Sequence, residues 1–174
     1  MAGHPHLGAA IFGLLACNTI YYIVAGRLSE ALESVAWYAL LILFLLETTH
    51  SRMQRWACAL AALHGLRLFA TLAIAVTAVL YVLEKEWLDA GNLFLWIGVV
   101  ALLEVEVRRP AAIAAHRKAY TLTAAALYTA LGILVVVWFM RGKWMNAWDA
   151  GLWLAAFGLL ELDVLHAKDI NNIV

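Results

Sequence analysis

The hydrophobic pattern of this chain is six long apolar stretches separated by short polar breaks, with neither the alternation of a half-buried strand nor the narrow stripe of a soluble helix. The stretches cover about residues 7–25, 34–50, 60–83, 91–107, 118–140 and 147–166. Each is near the roughly 20 residues a helix needs to cross the hydrocarbon core of a bilayer. Backbone in hydrocarbon has no water to bond, so each stretch must satisfy its own N–H and C=O groups as a helix. The pattern therefore predicts an all-α fold, an integral membrane bundle of six transmembrane helices. The connections are too short to hold a soluble domain, which leaves a single transmembrane domain over residues 1–174.

A second regularity lies on top of the first. Three of the apolar stretches end in related charged segments: Leu45-Leu46-Glu47-Thr48-Thr49-His50-Ser51-Arg52, Leu102-Leu103-Glu104-Val105-Glu106-Val107-Arg108-Arg109 and Leu159-Leu160-Glu161-Leu162-Asp163-Val164-Leu165-His166. The interval is 57 residues both times (104 − 47 and 161 − 104). Equal spacing of three Leu-Leu-Glu triplets points to tandem repeats, with boundaries near 4–60, 61–117 and 118–174. Each repeat is expected to be one helical hairpin with its Glu near the end of the second helix. Trp87 aligns with Trp144, Ala90 with Ala147 and Trp96 with Trp153, so the second and third copies resemble each other most. The scheme of three hairpins with an acid-x-x-base ending is similar in outline to mitochondrial carriers. Those repeats are much longer and carry a proline before the acid, and nothing is transferred from them.

Composition agrees with the pattern. Hydrophobic residues make up 66% and charged residues 14%, and the mean hydropathy is +0.85, against roughly 45–50% and 25% in soluble domains. Net charge is zero, so orientation rests on where Lys and Arg fall. Arg52, Arg55, Arg67, Arg108, Arg109, Arg117, Lys118 and Lys168 lie on one side, and Arg27, Lys85, Arg141 and Lys143 on the other. This bias predicts cytoplasmic N and C termini, in a multi-pass protein of a bacterial inner (plasma) membrane. His4 and His6 without Lys or Arg make a poor leader for a cleaved signal peptide. Pro110 is expected to end the fourth helix, and Gly26, Gly91 and Gly142 to serve the turns on the far side. Trp37, Trp56, Trp87, Trp144 and Trp148 are expected at the membrane interfaces. Cys17 and Cys58 read as buried, inert thiols.

The charged endings are where chemistry would reside. Carboxylates inside membrane helices tend to face the bundle interior or water. Three hairpins about a pseudo-threefold axis would put Glu47, Glu104 and Glu161 at one depth, an acidic layer able to bind protons or a cation. A plainer reading uses helix-neighbour spacing: Thr49, Glu106 and Asp163 stand three residues before Arg52, Arg109 and His166, and Glu104 four before Arg108. On that reading the endings are local ion pairs, with Arg67 as a further partner for a repeated Glu. A third reading takes Glu47-x-x-His50 and Asp163-x-x-His166, with Glu104 or Glu106, as a carboxylate-bridged di-metal set of the kind built in helical bundles. Arg109, where the second copy needs a ligand, counts against it.

No phosphate-binding glycine loop, Cys-x-x-Cys pair or nucleophile elbow occurs. The basic residues are too dispersed for nucleic acid and suit anionic lipid better. The sequence leads to a non-catalytic accessory or structural subunit of a larger membrane complex, in contact with lipid and with other membrane subunits or copies of itself. A small proton or cation channel or transporter using the Glu layer is the alternative, and a membrane di-metal enzyme the next. The cofactors these readings involve are lipid and a metal ion.

Overall fold

The computed structural model describes the backbone of residues 5–49 and 57–171. Among these residues the chain is all-α, with helices α1 (Pro5–Ala25), α2 (Leu28–Thr49), α3 (Ala57–Leu83), α4 (Trp87–Arg108), α5 (Pro110–Ala115), α6 (Arg117–Met140) and α7 (Trp144–Asn171). Six coincide with the apolar stretches. The segments Gly8–Ala25, Gly65–Leu83, Trp87–Glu106 and Arg117–Met140 are long and apolar enough to cross a membrane.

The early start of α2 and the short helix α5 are not in the hydrophobic pattern. Helix α2 starts at Leu28, six residues before the apolar run, because its polar first turn is closed by a side chain. The Arg27 N–H donates to Glu30 Oε2 at 2.8 Å, the reach-back half of a capping box, and the Ala31 N–H donates to the Arg27 carbonyl at 2.9 Å. Pro110 ends α4 as expected, and it also opens α5 as its first residue, where a missing N–H costs nothing.

The links into α4 and α7 share one backbone geometry. After α3, the Glu86 N–H reaches back to the Tyr81 carbonyl at 3.0 Å and the Lys85 N–H to Val82 at 3.2 Å; after α6, Lys143 reaches Trp138 at 3.0 Å and Gly142 reaches Phe139 at 3.1 Å. These are Schellman closures, which need a left-handed residue just past the helix. Gly142 takes that role at φ +74° and Lys85 at φ 59°. Gly91 is no part of either turn. It lies inside α4 with open space around it. Gly26 acts by close approach, since a Cβ there would sit 2.6 Å from the Tyr22 carbonyl oxygen.

Two compact units make up the chain: Leu15–Trp87, and Leu88–Val174 with the start of α1. In the first, α2 packs most extensively on α3, helices that the repeat scheme assigns to different hairpins. Leu15, Tyr22, Leu43, Ala70, Ile74 and Tyr81 are among its buried apolar residues. In the second, α6 packs on α7. Trp138, 2% exposed, is set against Ala147 and Ala150, with Leu88, Leu134 and Val135 around it. At Gly98 an added Cβ would lie 3.2 Å from Leu127 Cδ2, so α4 and α6 approach closely there.

Several expectations about side chains are corrected. Cys17 is exposed on α1, an outward thiol rather than a buried one, and Cys58 is outside the described side chains. Trp37 is buried at 9% exposure, a core residue rather than an interfacial anchor, while Trp87, Trp144 and Trp148 are exposed. Trp56 is outside the described residues.

Hydroxyls on the outer surface are handled by the helices themselves. Thr71, Thr121 and Thr123 are exposed, and each donates to the carbonyl four residues back, at 2.9 to 3.0 Å. Thr19 and Thr77, in the interior, do the same. A hydroxyl facing lipid has no water to bond, so its own backbone is the nearest acceptor.

Candidate functional site

In the first unit a polar path begins at the α1–α2 turn. Arg27 sits among three carboxylates: Glu30 at 3.0 Å, Glu86 at 2.8 Å and Glu84 at 3.5 Å. The capped start of α2 presents the guanidinium, and the Schellman turn after α3 presents Glu84 and Glu86 to it. Ser29, fully buried, donates to Glu84 Oε2 at 2.7 Å. One turn further along α2, Glu33 accepts a hydrogen bond from the buried Tyr81 hydroxyl at 2.5 Å. Deeper again, Ser34 donates to Thr19 Oγ1 at 3.0 Å, which joins α2 to α1. Apart from Glu30, whose partner Arg27 is three residues before it, each polar group along this path meets a partner from another helix or from the turn after α3, as burial in a low-dielectric interior requires.

The second unit holds a buried charge. Asp89, 3% exposed, lies in the first turn of α4, where the helix N-terminus favours a carboxylate. It accepts a hydrogen bond from Asn146 Nδ2 on α7 at 3.0 Å, and Lys143 Nζ stands 3.7 Å from its other oxygen. Seven residues further along both helices, the rings of Trp96 and Trp153 meet edge-on with centroids 6.5 Å apart, and Phe157 tilts against Trp96 at 4.9 Å. Asp89 and Asn146 are 57 residues apart, and so are Trp96 and Trp153. Two contacts in the same register mean that α4 and α7 run in the same direction and meet through matching positions. Burial repeats with that interval: Ala90, Leu93, Trp96 and Val99 are buried on α4, and Ala147, Ala150, Trp153 and Ala156 on α7.

Of the predicted acidic layer, only the Glu104 side chain is among those described. It is exposed on α4 and paired with Arg108, as the helix-neighbour reading expects. Glu106 accepts a hydrogen bond from Tyr120 of α6 at 2.5 Å. Arg109 is exposed, and so is Arg67 on α3. The side chains of Glu47, Glu161, Asp163 and His166 are outside the described set, as are Arg52 and His50 altogether. The di-metal set is therefore represented only by Glu104 and Glu106, and among the described residues no group of three or more His, Cys, Asp or Glu is placed to hold a metal.

The polar groups the structure does bring together were not singled out by the Leu-Leu-Glu endings. Asp89 and Asn146 carried a signal, because they stand 57 residues apart, two residues after the Trp87 and Trp144 that the repeat expectation aligns. Arg27 carried none beyond its place at a turn, since its three partners come from both sequence neighbours and α3. The chain matches no family model, no curated protein and no solved structure.

Proposed function

We propose that the protein is a non-catalytic subunit of a larger membrane assembly, built from three hairpin repeats whose six long helices cross the bilayer while α5 lies at its surface. The observation that carries this reading is α6, a membrane-length helix with 11% of its apolar window buried. About half of its residues, Leu122, Ile133, Val136 and Phe139 among them, are exposed and so left for lipid or for the helices of a neighbour. The charges lend support, since Arg27 with its three carboxylates and Asp89 with Asn146 and Lys143 are occupied in holding helices together. In this reading the termini are cytoplasmic, the membrane is a bacterial inner membrane, and Glu47, Glu104 and Glu161 mark where the even-numbered spans leave the lipid. Extraction from its native membrane in mild detergent should bring down a second membrane protein in fixed proportion. Recovery of the chain alone, as a stable homo-oligomer, would overturn the proposal.

Proton or cation passage is the second reading, favoured by one observation: Asp89 is a buried carboxylate within a span, a residue type that membrane helices seldom carry without use. Proteoliposomes separate the two accounts. Flux abolished by Asp89→Asn, or by Glu47→Gln with Glu104→Gln and Glu161→Gln, would establish conduction, and no flux from the wild type would remove it. Metal analysis of protein purified without chelators tests the di-metal alternative, which requires stoichiometric iron, manganese, zinc or copper.

A further inference from the structure

We propose that the elbow joining α4 to α6 is a docking site for the phosphate headgroups of anionic phospholipid. One span runs through Glu106 and the next begins at Arg117, so the ten or so residues between them emerge and return on one side of the membrane, at headgroup depth. Arg108 and Arg109 lie at the exit, and His116, Arg117 and Lys118 at the re-entry; all are exposed. Between them, α5 consists only of Pro, Ala and Ile, with Ile113 half-buried and Ala111, Ala112, Ala114 and Ala115 exposed. A short apolar helix flanked by basic side chains has the composition of a segment lying at the boundary of headgroups and acyl chains.

The acids nearby are already engaged. Glu104 is paired with Arg108, and Glu106 takes the Tyr120 hydroxyl. Arg109, Arg117 and Lys118 have no ion pair with any described residue. The Tyr120–Glu106 bond also ties the start of α6 to the end of α4, which holds the two basic groups at fixed separation instead of leaving them on a loose loop. A phosphodiester on a lipid fits this arrangement twice over: its charge meets unpaired cations, and its acyl chains continue along the exposed apolar faces of the spans that flank the elbow. Free phosphate would satisfy only the first.

The test uses the full chain in detergent, stripped of native lipid, with thermal unfolding followed as phosphatidylglycerol, phosphatidylcholine or inorganic phosphate is added. Phosphatidylglycerol should raise the midpoint well above the other two at equal concentration. An R109Q/R117Q/K118Q variant should weaken that preference about 100-fold, at roughly fivefold for each basic residue at a membrane surface. An R109K/R117K variant, which keeps the charges, should retain most of it. Equal stabilisation by phosphatidylcholine, or full preference surviving in the triple Gln variant, would overturn the proposal, and stabilisation by inorganic phosphate alone would assign the patch to a soluble anion. Should the triple variant fail to fold, the wild type decides: its preference must collapse in about 1 M NaCl, where the screening length is about 3 Å, and persistence there defeats the electrostatic account.

Discussion

The turns after α3 and after α6 have the same backbone and opposite charges. Glu84-Lys85-Glu86 and Arg141-Gly142-Lys143 close their helices by the same pair of hydrogen bonds, yet the first presents acids and the second bases. Each is met by a side chain of the opposite sign from another helix: Arg27 receives Glu84 and Glu86, and Asp89 receives Lys143. What is kept between the two turns is the chain reversal and the presence of a counter-charge. The sign of the charge is free to change, provided both partners change together. The environments differ as well. Asp89 is almost fully enclosed, at 4% side-chain exposure, whereas Arg27 is about one-third open to its surroundings, at 36%.

That difference in enclosure ranks the ways to break the pairs. Asp89→Ala should have the largest effect, a loss of about 2–3 kcal/mol, because it leaves Asn146 without its acceptor and removes the counter-charge of the part-exposed Lys143; reversible unfolding in mixed micelles measures it. Asp89→Asn keeps a hydrogen-bond acceptor and should cost clearly less, and equal losses from both would mean that the charge does nothing there. Arg27→Met is expected to cost about 1–2 kcal/mol in the same assay, since three part-exposed carboxylates lose their common cation but retain solvent. Reversing Glu84 and Glu86 to Lys in the Arg27→Glu background should recover much of what Arg27→Glu alone removes, and no recovery would show that the signs are not interchangeable. Tyr81→Phe removes one donor to Glu33 and should cost about 1 kcal/mol.

The smallest effects concern the backbone. Lys85 adopts a left-handed conformation that Gly142 adopts without penalty, so Lys85→Gly should leave stability unchanged or raise it by up to about 1 kcal/mol, and Gly142→Lys should lower it by a similar amount. Unfolding midpoints of the two variants, compared side by side, would show opposite signs. A destabilising Lys85→Gly would mean that the lysine side chain contributes more than its conformation costs.

Much of the helix layout was legible because one physical rule governs it: hydrocarbon tolerates only apolar segments with internally bonded backbone, and those segments are visible as runs of Leu, Val, Ala and Ile. The start of α2 was missed because Ser29, Glu30 and Glu33 read as a polar link, when in fact they are helical residues with partners on the flanking turns or on α3. Glu104 beside Arg108 was legible from spacing alone, because both lie on one helix. Arg27 with Glu84 and Glu86 was not, since that contact depends on how α2 and α3 pack, and a periodicity contains no information on helix rotation. Asp89 opposite Asn146 falls between these cases. The 57-residue interval relates the two residues, but only the packing of α4 and α7 brings them into contact.

The threonines on the outer surface have a consequence for how the protein can be altered. With each hydroxyl proton committed to the carbonyl one turn behind it, Thr71, Thr121 and Thr123 display little more than a methyl group to their surroundings. Valine has nearly the same outline, so each of those positions can be rewritten with small effect, offering places for spectroscopic labels or crosslinkers that report on neighbours while leaving the interior untouched.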